Sequence, residues 1–334
     1  MRSEDFGVII CCCKFDFFLA KGCVASVRHV LPDVPVTLFI DGEFDASELA
    51  KAYNLNVMYR HQVKDPWLRE FNRGWGLPKM TLLWESPYER FLYLDCDTIL
   101  WGDVVQAYAG KMDWDLAVDE GDAKSRHWVP GIASDAWVNQ EYFTTEKMEK
   151  IIPDFPWRKY APSLFCTGTY FARRGAFALE EYKELIRLRD ENPGFLPRHE
   201  MGVLNVMIFR GVEAGRLKVS QVPMELLCDF TNCDTLPRRF HFDANGPVVR
   251  EGDEKVLHFT DPKPLTRSHG FHEPMTYFRG QAARRLKTMG RHLGRVNLWL
   301  EELPWHVTIQ YRRHYAKHHR FFKPLLNLWR RIRG

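Results

Sequence analysis

Asp95 and Asp97, separated only by Cys96, are the residues of this 334-residue chain best suited to chemistry. They follow the apolar run Phe91-Leu92-Tyr93-Leu94 directly. An apolar, β-prone run of that length reads as a buried central strand of an α/β sheet, and ligands of such sheets bind just outside the carboxyl ends of the strands. Side chains alternate along a strand, so Asp95 and Asp97 share a side, and two carboxylates on one side form a site for a hard divalent cation. Two chemistries use acids in this pattern. In one, the first Asp attacks phosphorus and the second serves as acid. In the other, both acids hold a metal that clamps a diphosphate.

Further polar groups end or begin other elements. The strand-like run Lys255-Val256-Leu257-His258-Phe259 leads to Lys263. It supplies one borderline metal ligand and one point charge suited to phosphate. Lys79 lies near the start of a helix expected from Pro78, where it can meet a phosphate or a sugar. Asp119 closes a strand read over Trp114–Val118, and Glu200 opens a helix.

The elements that must position these groups follow a βαβαβ rhythm. Strands are expected at Gly7–Cys13, Pro35–Ile40 and Asn56–Tyr59, with helices at Phe17–Val30 and from Asp45 to about Tyr53. This is the opening half of a doubly wound sheet, where nucleotides commonly sit. The stretch from Ala123 to Phe165 reads as irregular and aromatic-rich, with Trp128, Trp137, Tyr142, Phe143, Trp157 and Tyr160. Such rings serve either as a sugar-stacking lid or as plain core. Cys166 to Phe171 reads as a strand with a close-approach glycine, Gly168. Ala176–Arg189 is an amphipathic helix, Leu217–Val222 is strand-like, and a loop follows.

Charge divides the chain unevenly. Residues 281–334 hold 13 Lys and Arg against 2 acids, whereas the preceding 280 hold 34 against 41. Between Arg320 and Arg333, apolar residues recur at spacings of three and four with basic residues interleaved. A basic amphipathic helix of that kind suits an anionic membrane surface. Nucleic-acid binding would need a groove-reading motif, and none accompanies the charge. No apolar stretch approaches a membrane-spanning length, and the run Phe6–Cys13 lacks a signal-peptide pattern. The eight cysteines show no CxxC or zinc spacing. The expectation is reduced cysteines and a cytoplasmic protein, peripheral on the inner face of the membrane.

Taken together, residues 7 to 265 resemble glycosyltransferase family 8, the retaining GT-A group of glycogenin and the lipooligosaccharide galactosyltransferases. The resemblance rests on Lys79 ahead of Phe91-Leu92-Tyr93-Leu94-Asp95-Cys96-Asp97-Thr98, and on His258-Phe259-Thr260-Asp261-Pro262-Lys263-Pro264. Ala20-Lys21-Gly22-Cys23 and Glu200-Met201-Gly202-Val203-Leu204-Asn205 are weaker echoes. It implies a GT-A, Rossmann-like doubly wound mixed sheet, placed over residues 1–278; the abrupt shift to basic composition marks residues 279–334 as a basic helical extension. It implies Mn2+ or Mg2+ held by Asp95, Asp97 and His258, and a UDP-sugar contacted by Lys79, Asp95 and Lys263. Asp16 and Phe17 stand where the base is recognised, and Asp119 and Glu200 are the candidate catalytic residues. The implied reaction moves a hexose to a glycan or glycolipid acceptor in bacterial surface-polysaccharide synthesis. Its alternatives are a haloacid-dehalogenase-type phosphatase using Asp95 and Asp97, and an inactive GT-A scaffold. The chain departs from the family in having Cys166-Thr167-Gly168 where Asn-x-Gly is usual, and Glu200-Met201 where Asp-Gln is usual.

Overall fold

The structure, a computed structural model, describes residues 5–72, 76–109, 113–120, 132–197, 199–229, 236–243, 246–249, 255–261, 263–266, 271–286 and 294–314. The chain opens with β1 (Phe6–Cys13), α1 (Phe17–Val30), β2 (Val36–Asp41), a helix at Ser47–Tyr53 and β3 (Asn56–Tyr59). Two short helical turns, Leu77–Met80 and Leu82–Glu85, lead into β4 (Arg90–Asp95) and β5 (Thr98–Leu100). Then come β6 (Leu116–Asp119), β7 (Thr169–Arg173), β8 (Val219–Val222), β9 (Glu225–Asp229), the hairpin strands β10 (Phe240–Asp243) and β11 (Gly246–Val249), and β12 (Val256–Asp261). Helices Leu179–Glu191 and His199–Glu213 separate β7 from β8, and helices Glu273–Arg285 and Gly294–His314 follow β12.

Seven strands form one sheet in the order β3-β2-β1-β4-β7-β6-β8. β7 alone runs against its neighbours β4 and β6, so the sheet is mixed. Both faces are covered, as the near-continuous apolar strands require. Val8, Ile10, Leu92 and Leu94 pack on one side with α1 and the helix Glu273–Arg285. Ile9, Phe39, Phe91 and Tyr93 pack on the other with the helices between β6 and β8. The alternation of a strand's side chains thus sorts adjacent residues into two cores.

A second sheet, β5-β12-β9, stands at the carboxyl end of β4. It supplies the late motif with its frame.

The segment read as irregular differs from expectation. It contains helices Ile132–Glu141, Thr145–Ile151 and Trp157–Tyr160, and Tyr142, Phe143, Trp157 and Tyr160 are buried in the second core. Trp137 packs against that core, so these rings are core rather than lid; Trp128 lies outside the described residues. The division drawn between residues 278 and 279 falls inside the helix Glu273–Arg285. That helix packs closely on α1 because Gly22 has no side chain: a Cβ there would stand 2.3 Å from Met275 Sδ. The amphipathic stretch 320–333 lies outside the described residues. No helix among the described residues is long and apolar enough to cross a membrane.

Candidate functional site

Asp95 is the last residue of β4, and Cys96-Asp97 form the turn into β5. β5 runs antiparallel to β12 with Thr98 opposite His258, and Phe259 N donates to Asp97 O at 3.0 Å. This pairing carries His258 across more than 150 residues of chain to the two acids. His258 Nε2 lies 3.3 Å from Asp97 Oδ1 and 4.0 Å from Asp95 Oδ2. One ligand atom from each of the three lies within 4.8 Å of the others. Two carboxylates and one imidazole are a donor set that a borderline divalent ion such as Mn2+ accepts. Asp97 and His258 are buried and Asp95 is half-buried.

Two lysines complete the charge. Lys79 is buried, and its Nζ donates to both oxygens of Asp95 at 3.2 Å and to Thr167 O at 3.0 Å. Glu200 Oε1 is 3.4 Å from the same Nζ. Burial works against the ammonium, but Asp95 and Glu200 outweigh it and hold Lys79 protonated well above the ordinary lysine range. Lys263 Nζ pairs with Asp97 and donates to Phe259 O at 3.0 Å. Burial opposes the charge on Asp97 too, yet Lys263 and His258 keep its carboxyl far below the usual range. His258 is pushed the other way: burial lowers its affinity for a proton, and Glu225, Cys166 and Asp97 more than restore it.

Glycines set the clearances. Gly168, just before β7, lies against the imidazole, and its carbonyl accepts from Asp95 N at 2.7 Å. Gly76 has φ +69, and a Cβ there would stand 2.0 Å from the Glu200 carboxyl carbon.

The remaining sequence candidates lie around the acid–imidazole cluster rather than in it, and Asp16 is close enough to hydrogen-bond Cys96 and to feel the Asp97 charge. Asp16 precedes α1 and accepts from Cys13 N at 2.7 Å. Phe17, at the start of α1, meets Phe44 edge-on at 5.0 Å, with Lys21 Nζ 5.5 Å from its ring centroid. Asp119 Oδ1 accepts from Met224 N and Glu225 N, both at 2.9 Å, so it anchors the start of β9. Glu200 is joined to the site through Lys79 and through Thr167 Oγ1 at 3.5 Å.

Glu225 is the residue that sequence reasoning missed. Its carboxylate touches His258 Nδ1, and Cys166 Sγ lies 3.6 Å from the same nitrogen. The one available signal was the run Met224-Glu225-Leu226-Leu227-Cys228, an apolar strand pattern inside a stretch read as loop.

No family model matches the sequence, and no curated protein does. Solved structures do match in shape. The chain resembles a bifunctional glycosyltransferase, WbbM, with a TM-score of 0.55 at 11% identity over 89% of this chain and 52% of that one. It thus spans about half of that protein. The galactosyltransferase LgtC, solved with donor and acceptor sugar analogues, matches with a TM-score of 0.50 at 18% identity over 86% of this chain and 98% of LgtC. The glycosyltransferase GlyE of Streptococcus pneumoniae TIGR4 matches with a TM-score of 0.51 at 12% identity, over 85% of this chain and 63% of GlyE. With its seven-stranded mixed sheet flanked by helices, the chain has the GT-A, Rossmann-like fold of glycosyltransferases.

Proposed function

We propose that this protein is a divalent-metal-dependent glycosyltransferase that moves a hexose from a UDP-sugar to a glycan or glycolipid acceptor, with retention, in bacterial surface-polysaccharide synthesis. The observation that carries the reading is the convergence of Asp95 and Asp97, at the end of β4, with His258, from within β12, at the carboxyl edge of the sheet. In this reading those three hold Mn2+ or Mg2+. The bound ion would supply Lewis-acid stabilisation of the charge that builds on a departing nucleoside diphosphate.

The chain's own groups have separable roles. The Lys263 ammonium, paired with Asp97 when no donor is bound, exchanges that partner for a diphosphate oxygen. Lys79 stays charged beneath Asp95 and faces the phosphate or the donor sugar. Glu200 holds Lys79 in place and stands beside the sugar as the candidate catalytic carboxylate. Asp16 and Phe17 offer an acceptor oxygen and a ring face to the base. Asp119 acts through the strand that it anchors rather than on the sugar. The phosphatase alternative expects its acid pair at the opening of the fold, yet β1, β2 and β3 with their helices precede Asp95.

The test is a screen of nucleotide sugars for hydrolysis and for transfer to glycolipid acceptors, with Mn2+ and with chelator. A donor consumed only with metal is the expected result. Metal-independent turnover of every active donor would overturn the reading.

A further inference from the structure

Glu225 has a side chain 1% exposed. A carboxylate is costly to bury unless a charge or a hydrogen-bond donor compensates it. Here the carboxylate stands against the His258 imidazole as an ion pair at Nδ1. The placement is fixed from several directions. β9 and β12 pair in parallel, with Leu227 opposite His258 and Glu225 two residues before it on the same strand. The two N–H groups held by Asp119 fix the point at which β9 begins. Cys166 and Gly168 close the remaining side of the ring.

An imidazole with its Nδ1–H given to a carboxylate presents a lone pair at Nε2, and it is the more basic for that contact. Nε2 is the nitrogen that faces Asp97 and Asp95. The geometry points to Glu225 as a positioning residue that fixes the tautomer and the ring orientation of His258, so that Nε2 is offered to the cation. The inference rests on the reading of Asp95, Asp97 and His258 as metal ligands. It adds a residue to that reading, and it gives Asp119 an indirect part, since Asp119 holds in register the strand that brings Glu225 beneath the ring.

A titration of the full chain with Mn2+ alone, followed by electron paramagnetic resonance, tests both layers. Wild type should bind Mn2+ with a directly coordinated 14N, and His258→Ala should lose that coupling. Glu225→Ala should weaken binding by about 10–100-fold and diminish the coupling. Glu225→Gln keeps an acceptor for Nδ1–H, so it should fall between wild type and alanine; it also keeps the test open should the alanine variant fail to fold. A packing role alone would lower the melting temperature without moving the 14N signal. Wild-type Mn2+ affinity with unchanged coupling in Glu225→Gln and Glu225→Ala would overturn the proposal while leaving the metal site standing. A wild-type protein without 14N coupling would instead overturn the metal reading beneath it. Cys166→Ser should bind Mn2+ as wild type does. A loss there as large as in Asp97→Asn would place the cation on the Nδ1 side, among Cys166, Glu225 and His258, and would also overturn the proposal.

Discussion

Gly168 and His258 are in contact across the site: a Cβ on residue 168 would stand 2.2 Å from the imidazole Cε1. No real Cβ tolerates that distance, so Gly168→Ala must displace the ring or the turn before β7. Mn2+ affinity should fall by at least about tenfold, the scale on which disturbed ligand support acts. Calorimetry on the alanine variant checks this, and an unchanged affinity would mean that His258 is not a ligand.

Asp97→Asn removes the charge that His258 and Lys263 share. The loss of metal-borne charge stabilisation, several kcal/mol, corresponds to roughly a 10²–10⁴-fold fall in kcat/KM. The melting temperature should fall as well, because two cations lose their buried partner. Full activity at normal Mn2+ in this variant would sink the metal-clamp reading.

Lys263→Ala separates donor from metal. The ammonium competes for Asp97 when no donor is bound, so Mn2+ alone should bind as tightly as to wild type or more tightly. The donor, by contrast, should show a raised KM. Calorimetry with Mn2+ and then with UDP distinguishes the two, and weakened Mn2+ binding with unchanged UDP binding would reverse the assignment.

Burial pushes the Asp16 carboxyl up to about 6, against the N–H of Cys13 that favours its ionised form. Between the ordinary 3.8 and about 6, the folded chain therefore holds a proton that the unfolded chain releases. Ionised Asp16 costs stability above that window, and the cost vanishes as pH falls through it. Asp16→Asn should raise the melting temperature at pH 8, and the gap should close by pH 4. A gap that is constant with pH would contradict the assignment.

Residues 315–334 contain Lys317, Arg320, Lys323, Arg330, Arg331 and Arg333. Each can add on the order of 1 kcal/mol at an anionic surface. Deleting the segment should abolish co-sedimentation with anionic vesicles at low salt and spare turnover of a soluble acceptor. Full-length protein that stays in the supernatant would end the membrane proposal.

The first half of the fold was legible because its signals are local. Phe17–Val30 and Asn56–Tyr59 form at the bounds that apolar spacing gives. The pair Asp95 and Asp97 announced itself by following an apolar strand. Glu225 did not, since a single acid in an apolar run acquires meaning only from a histidine 33 residues later, through strand pairing. The aromatics from Trp137 to Tyr160 were ambiguous for the same reason. Sugar-stacking rings and core rings have one composition, and only packing separates them.

Glu302 is completely buried and joins two parts of the molecule. It accepts from Thr266 N at 3.0 Å and from Thr266 Oγ1 at 2.8 Å, three residues beyond Lys263. It also pairs with Arg279, 2.5 Å away and itself 1% exposed, and lies 3.6 Å from His306 Nε2 on its own helix. The helix that carries Glu302 is thus a keystone for the loop that presents Lys263. A protease cut anywhere between residues 286 and 294 would leave that helix held by contacts alone. If it drifted off, Arg279 would remain as an uncompensated cation, a defect of about 3–5 kcal/mol. Any pull on the basic end of the chain would be passed through Glu302 to the segment that carries Lys263 and Thr266.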